Sequence, residues 1–154
     1  MKRLQHGFTL VEIVVVVTVV AILASLVIVT FITTQKRARD DTRSNQIKAI
    51  KTALQHYYHD NGEYPDVCGG ANIDCDASNL SSALSPAYMQ SIPTPPLGSS
   101  NNTYIYRRGS AADSYGLRVF VETSTYSYQG WACKTGNNID VSWWGGSFAP
   151  NCGF

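Results

Sequence analysis

The sequence predicts an α+β fold: a long N-terminal α-helix, apolar in its first half and amphipathic in its second, packed on a small antiparallel β-sheet. Three observations predict it. From Phe8 to Asn61 there is neither Pro nor Gly, so nothing obvious interrupts a helix. Two later segments, Thr103–Arg108 and Tyr115–Glu122, read as strands: Tyr104 and Tyr106 alternate with Ile105, and Val119 and Val121 fall on one face. The chain between helix and strands is punctuated by Pro and Gly, which end helices and exclude interior strands.

The first element opens with a short basic leader, Lys2 and Arg3, that ends at Gly7. Phe8 then begins an apolar run to Ile32, about 37 Å long as a helix at 1.5 Å per residue. That exceeds the roughly 30 Å thickness of membrane hydrocarbon. A secretory signal has a shorter apolar core followed by a small-residue cleavage site. Ala24 and Ser25 imitate such a site, but apolar residues continue for seven more positions. Lys2 and Arg3 place the N-terminus in the cytoplasm. Lys36, Arg37, Arg39 and Arg43 on the other flank weaken that assignment, and Asp40 and Asp41 offset part of their charge. One carboxylate, Glu12, lies inside the run; a charge in an apolar span calls for a partner.

Beyond the span, Ile47, Ile50, Leu54, Tyr57 and Tyr58 recur at helical spacing, with Lys48, Lys51, Gln55 and His59 on the opposite face. Asn61-Gly62 stops this helix and Pro65 prevents its resumption. The helix therefore runs over 8–61, about 80 Å. Residues 63–103 read as an extended loop with one short helix near Ser81–Gln90, and the Pro-rich stretch at 92–96 fits neither an interior strand nor a helix. Two strands follow, joined by Gly109–Ser114, with a third around Tyr126–Lys134. The tail 135–154 is rich in Gly and Asn.

With 154 residues the chain suffices for one domain with a modest core. A net charge of +1 gives no global field for nucleic acid or acidic substrates. The four cysteines, Cys68, Cys75, Cys133 and Cys152, all lie past the span, so an exported, disulfide-bonded domain is expected. Three connectivities are open, and Cys68–Cys75 with Cys133–Cys152 is favoured because each pair closes a local loop. Zinc is the competing reading, disfavoured because no pair has C-x-x-C spacing.

No Ser/His/Asp arrangement, phosphate loop or carboxylate pair points to catalysis, so the chain is expected not to be an enzyme and to carry no cofactor. His56, His59 and Asp60 are the one cluster that suggests metal, and a solvated helix end is the better reading. Arg107, Arg108 and Arg118, among Tyr104, Tyr106 and Tyr115, are better placed to contact DNA than the 36–43 patch, with a sheet-surface role expected first. Trp131, Trp143, Trp144 and Phe148 are expected to pack on the sheet, with adhesive or subunit contacts as the alternative.

The run Gly7-Phe8-Thr9-Leu10-Val11-Glu12 with its apolar span resembles the class III signal of type IV pilins and type II secretion pseudopilins. Ala53–Pro65, with Tyr57, Tyr58, Asp60, Asn61, Gly62 and Tyr64, is similar to the end of the long helix in major pseudopilins, and Tyr88–Pro93 resembles the stretch before their sheet. The resemblance implies a type IV pilin-like fold in three parts. These are a leader at 1–7, a transmembrane and polymerisation helix at 8–35, and a periplasmic or extracellular domain at 36–154. The last comprises helix 36–61, loop 62–102 and the sheet with a disulfide-tied tail at 103–154.

It also implies roles. Prepilin peptidase would cut after Gly7, and Phe8 would become an N-methylated terminus. Glu12 would pair with the Phe8 amine of a neighbouring copy. The chain would pass from the cytoplasmic membrane into an extracellular type IV pilus. Its partners would be copies of itself, membrane lipid before assembly, the assembly platform protein and its ATPase, with motility, adhesion or DNA uptake as roles. A pseudopilin of a secretion or competence machine is the alternative, and an ordinary single-span membrane protein the other class. Two departures stand out: no proline lies within the apolar helix, and Pro93-Thr94-Pro95-Pro96 replaces the Pro-x-Asp-Pro stretch of major pseudopilins. That stretch leads toward a calcium-supported region in those proteins. Asp140, Asn137 and Asn138 offer oxygens here, with a Gly/Asn turn expected instead.

Overall fold

The computed structural model describes residues 7–96, 103–123, 133–139, 143, 144 and 152; for 26–30 it describes the backbone alone. The chain divides into two compact units, Met1–Lys36 and Arg37–Phe154. A continuous helix, α1, spans Leu10–Asn61 and contributes to both.

In the first unit the described side chains of α1 are exposed. Phe8, Leu10 and Val11 are 85, 80 and 68 % exposed, and the large apolar side chains from Ile13 to Leu23 are all at least half exposed. The β-branched run Val14–Val17 has low helix propensity in water. The two hydroxyls within this half fold back on the helix: Thr18 Oγ1 donates to Val15 O and Ser25 Oγ to Ile22 O. Among the described residues no helical stretch is long and apolar enough to cross a membrane. The expected span at 8–35 includes residues 26–30, whose side chains lie outside the described residues.

In the second unit α1 is amphipathic as its spacing requires. Ile47, Ile50, Ala53 and Leu54 are buried, while Lys48, Gln55 and His59 are exposed. The helix ends where Asn61-Gly62 predicts. Gly62 takes φ +76, a left-handed conformation that suits glycine, and its N–H returns to Tyr58 O at 2.8 Å. Asn61 Nδ2 donates to Tyr57 O, satisfying a further terminal carbonyl.

Four strands form one antiparallel sheet in chain order: β1 Asp74–Asp76, β2 Ile105–Arg108, β3 Tyr115–Val119 and β4 Cys133–Asn137. Cys75, Tyr106, Leu117 and Thr135 lie in register across it, as do Asp74, Arg107, Gly116 and Gly136 one residue away on the opposite face. Tyr106 and Leu117 of the first row belong to the core and Cys75 packs against it, with Tyr104, Tyr115 and Val119 from neighbouring positions and Leu80 and Leu84 in the same cluster. Burying each such side chain contributes about 1.5–3 kcal/mol. Tyr106 keeps its hydroxyl satisfied by donating to Pro65 O at 2.9 Å, and Tyr104 donates to Gln46 Oε1 of α1.

The structure corrects four expectations. β1 lies inside the segment expected to be loop. The short helix α2 covers only Ser81–Leu84, preceded by a 3-10 turn at Ala77–Leu80. It stops at Ser85, which is extended, with φ −102 and ψ 138. β4 begins at Cys133 and takes in Thr135–Asn137, which the Gly/Asn composition suggested were tail; Tyr126–Ala132 lie outside the described residues. The strands at 103–108 and 115–122 are shorter than their alternation, at Ile105–Arg108 and Tyr115–Val119.

Candidate functional site

The first candidate is the start of α1. Gly7, Phe8 and Thr9 precede the helix, and all three are exposed. Thr9 is positioned as its N-cap. Thr9 N and Thr9 Oγ1 both donate to Glu12 Oε2 at 2.8 Å, and Glu12 N donates to Thr9 Oγ1 at 3.3 Å. This is a capping box, two terminal donors satisfied reciprocally by residues three apart. Glu12 therefore has a local function within its own chain. Its placement in the first turn also suits the helix dipole, worth roughly 0.3–1 kcal/mol. The box uses one carboxylate oxygen; among the described residues nothing donates to Oε1. Membrane-span reasoning does not flag Thr9, but the T-x-x-E spacing does.

The second candidate is the basic run at 36–43, which falls into two groups. Lys36 and Arg37 are exposed. Arg39 and Arg43 turn inward. Arg39 binds Glu122 through Nε at 2.8 Å and Nη2 at 2.6 Å, a two-pronged pair. Arg43, 1 % exposed, places Nη1 2.7 Å from Asp40 Oδ1 and 2.8 Å from Glu122 Oε1. Its Nη2 donates to Pro96 O at 3.2 Å, and its guanidinium lies over the Phe120 ring. Asp40 accepts the backbone N–H groups of Glu122 and Thr123 and the Thr123 hydroxyl. Hydrogen bonds from Arg39, and then Arg43, hold the Glu122 carboxyl at about 2, against burial that pushes the other way. These ties clasp the chain after β3 to α1. Pairing with Asp40 is the part the sequence suggests; Glu122, some eighty residues on, carries no local signal.

The remaining candidates are structural in their surroundings. His59 Nδ1 contacts Asp60 Oδ1 at 3.0 Å on an exposed helix end. Among the described residues no group of three His, Cys, Asp or Glu side chains is placed to hold a metal ion. Arg108 pairs with Glu63 at 2.6 Å and lies 3.6 Å from Asp66. Arg107 meets Asp74 at 2.5 Å and its guanidinium lies 5.3 Å from the Trp143 ring and 5.1 Å from that of Trp144. Trp144 Nε1 donates to the same Asp74, at 2.9 Å. The two tryptophans are buried over Gly116 on the outer sheet face, so the packing expectation describes them; Trp131 and Phe148 lie outside the described residues. Arg118 Nη2 lies 3.8 Å from Asp74 Oδ2 and its guanidinium 5.5 Å from the Trp144 ring. The three arginines for which a sheet-surface role is expected ahead of DNA contact are thus engaged with carboxylates and, for Arg107 and Arg118, with indole rings. Cys68 is bonded to Cys75 and Cys133 to Cys152.

Residues 2–28 match the family described as the prokaryotic N-terminal methylation motif. Residues 30–142 match the family of type II secretion system (T2SS) protein G. The chain belongs to the type II secretion system protein G family. A curated relative, the type II secretion system core protein G of Aeromonas hydrophila, is 33 % identical over 103 residues, 63 % of this chain and 71 % of that protein. No solved structure matches significantly. The family groups pilin-like structural subunits, and its N-terminal motif is a prepilin methylation motif.

Proposed function

We propose that the chain is a pseudopilin of a type II secretion machine: cleaved after Gly7, held in the cytoplasmic membrane by the helix at 8–35 with its N-terminus inside, then polymerised through that helix. The observation that carries this reading is the exposed apolar surface from Phe8 to Leu23, interrupted only by Thr9, Glu12 and Thr18. A contiguous apolar surface of this size requires lipid or protein to cover it. Lipid covers it before assembly and the helices of neighbouring copies afterwards. Glu12 then has two partners, Thr9 in its own chain and the Phe8 amine of an adjacent copy. Such contacts are heterologous, each copy touching others above and below, and they generate an open helical filament. The force for extension comes from a partner ATPase, and prepilin peptidase makes the new terminus.

A long surface pilus is the second reading, favoured by the departure at Pro93–Pro96 from the stretch expected of major pseudopilins. Mass spectrometry of the N-terminus tests the shared part. A mature chain starting at N-methylated Phe8 is expected in both membrane and assembled fractions. An intact Met1 terminus confined to membranes would sink the proposal. Abundant filaments sheared from cells at native expression would select the pilus.

A further inference from the structure

Of the four strands, β1 has the least of its own to hold it in place. It is an edge strand of three residues, Asp74-Cys75-Asp76, and pairs with β2. Aspartate is depleted in strands, so two of these three residues disfavour the conformation. Backbone bonds continue the pairing on either side, Asn72 N to Arg108 O at 2.7 Å and Ala77 N to Tyr104 O at 2.8 Å. Asp74, 31 % exposed, accepts from Arg107 and Trp144, and Asp76 accepts from Ser78 N and the Thr103 hydroxyl. Partly exposed ion pairs hold a strand only weakly. The remaining anchor is covalent. Cys75, the residue of β1 that packs against the core, is bonded to Cys68, whose Sγ lies 3.6 Å from Tyr106 O of β2.

The two disulfides differ in access. Cys133 and Cys152 are buried, whereas Cys68 and Cys75 are half-buried. Gly69 and Gly70 follow Cys68 without side chains, and a Cβ built on Gly69 would meet nothing within 4 Å. A thiolate must reach a sulfur in order to exchange with it, so access selects the bond that reacts first.

We propose that Cys68–Cys75 is a thiol–disulfide exchange site whose reduction releases β1 and leaves β2 as the edge of the sheet. The co-reactant is a dithiol. One of its thiolates attacks a sulfur of the bond, forms a mixed disulfide and expels the other cysteine as a thiolate, which takes up a proton. The second thiol of the reagent then displaces the remaining cysteine, and the reagent leaves as an internal disulfide. Two electrons and two protons pass to the protein, and the reagent is oxidised. With the bond open, Cys75 loses its covalent hold and the carbonyls of Tyr104 and Arg108 lose the donors that β1 brings to them. An unpaired strand edge is a template for pairing with another chain. The oxidised chain therefore presents a covered edge, and the reduced chain one open to strand addition. Only residues of the second unit take part, so the exchange stands or falls independently of the filament.

The full chain in detergent micelles is titrated with dithiothreitol, alkylated with iodoacetamide and mapped by mass spectrometry, with amide hydrogen exchange followed on the same samples. Cys68 and Cys75 are expected to be alkylated at reductant concentrations that leave Cys133–Cys152 intact. Exchange should then rise across 72–77 and in β2, while β3 keeps its protection. Cys68→Ser with Cys75→Ser should give the same pattern with no reductant present. Reduction of Cys133–Cys152 first, or of both bonds together, would overturn the assignment of the exchange site. Selective reduction with unchanged exchange over 72–77 and β2 would overturn the release of β1.

Discussion

Glu122 accepts hydrogen bonds from two arginines that stand one helical turn apart in α1, and one of them, Arg43, is almost wholly buried. Removing one partner of a buried ionic cluster leaves the others uncompensated, a cost of about 3–5 kcal/mol. Glu122→Gln is expected at the lower end, because Arg39 keeps about a quarter of its side chain in water. Chemical denaturation of the detergent-solubilised chain measures it. The sign of the pH dependence follows from the lowered Glu122 value. A depressed carboxylate contributes stability that is complete above its unfolded value near 4.5 and is lost as pH falls toward about 2. Melting midpoints should therefore drop between those limits, and Glu122→Gln should flatten that part of the profile. An identical acid profile in the variant would assign the loss to other groups. At Tyr106 the buried hydroxyl serves the Pro65 carbonyl. Tyr106→Phe leaves that acceptor without its donor and is expected to cost about 1–3 kcal/mol, read in the same denaturation experiment.

The sheet shows how far an element's sequence determines its neighbours. Gly116 stands opposite Arg107 and Gly136, and a Cβ built there would come within 2.9 Å of the Trp144 ring and 3.1 Å of Trp143. Overpacking of this kind costs about 1–3 kcal/mol. Gly116→Ala is expected to displace the indoles and red-shift their fluorescence; an unchanged spectrum and stability would mean that the rings do not rest there. The two disulfides separate in the same way. Chain-entropy estimates give about 3 kcal/mol for the longer loop closed by Cys133–Cys152 and about 2.5 kcal/mol for the Cys68–Cys75 loop. Replacing both cysteines of the longer loop with Ser should lower the midpoint more. The long helix was legible because a missing Gly or Pro and a repeating apolar face are local facts. β2 and β3 were legible from alternation. β1 was not, because Asp74-Cys75-Asp76 has no pattern and becomes a strand only by pairing with Arg107, Tyr106 and Ile105. The Arg39–Glu122 clasp was illegible for the same reason: its members meet only after the sheet has formed.

For the whole molecule the decisive question is what Glu12 does, and the capping box sharpens it. If Glu12 serves only Thr9, the residue stabilises the start of α1 and has no part in assembly. If it also serves the Phe8 amine of another copy, its charge matters. Two unit charges 4 Å apart at an effective dielectric near 20 attract by about 4 kcal/mol before desolvation. Glutamine separates the two. Its side-chain oxygen can accept from Thr9 N, because a capping box takes Gln as well as Glu, but it carries no charge. Glu12→Gln should therefore keep the helix start and lose the intermolecular pair, whereas Glu12→Ala loses both. With the variant as the only pilin-like subunit in the cell, both are expected to insert and be cleaved after Gly7, and both to give far fewer filaments. Quantitative blotting of the sheared and membrane fractions reads this out. Normal filament yield from Glu12→Gln with a deficit in Glu12→Ala would reduce Glu12 to a helix cap. Normal yield from both would leave the exposed apolar face from Phe8 to Leu23 to drive polymerisation unaided, by packing alone.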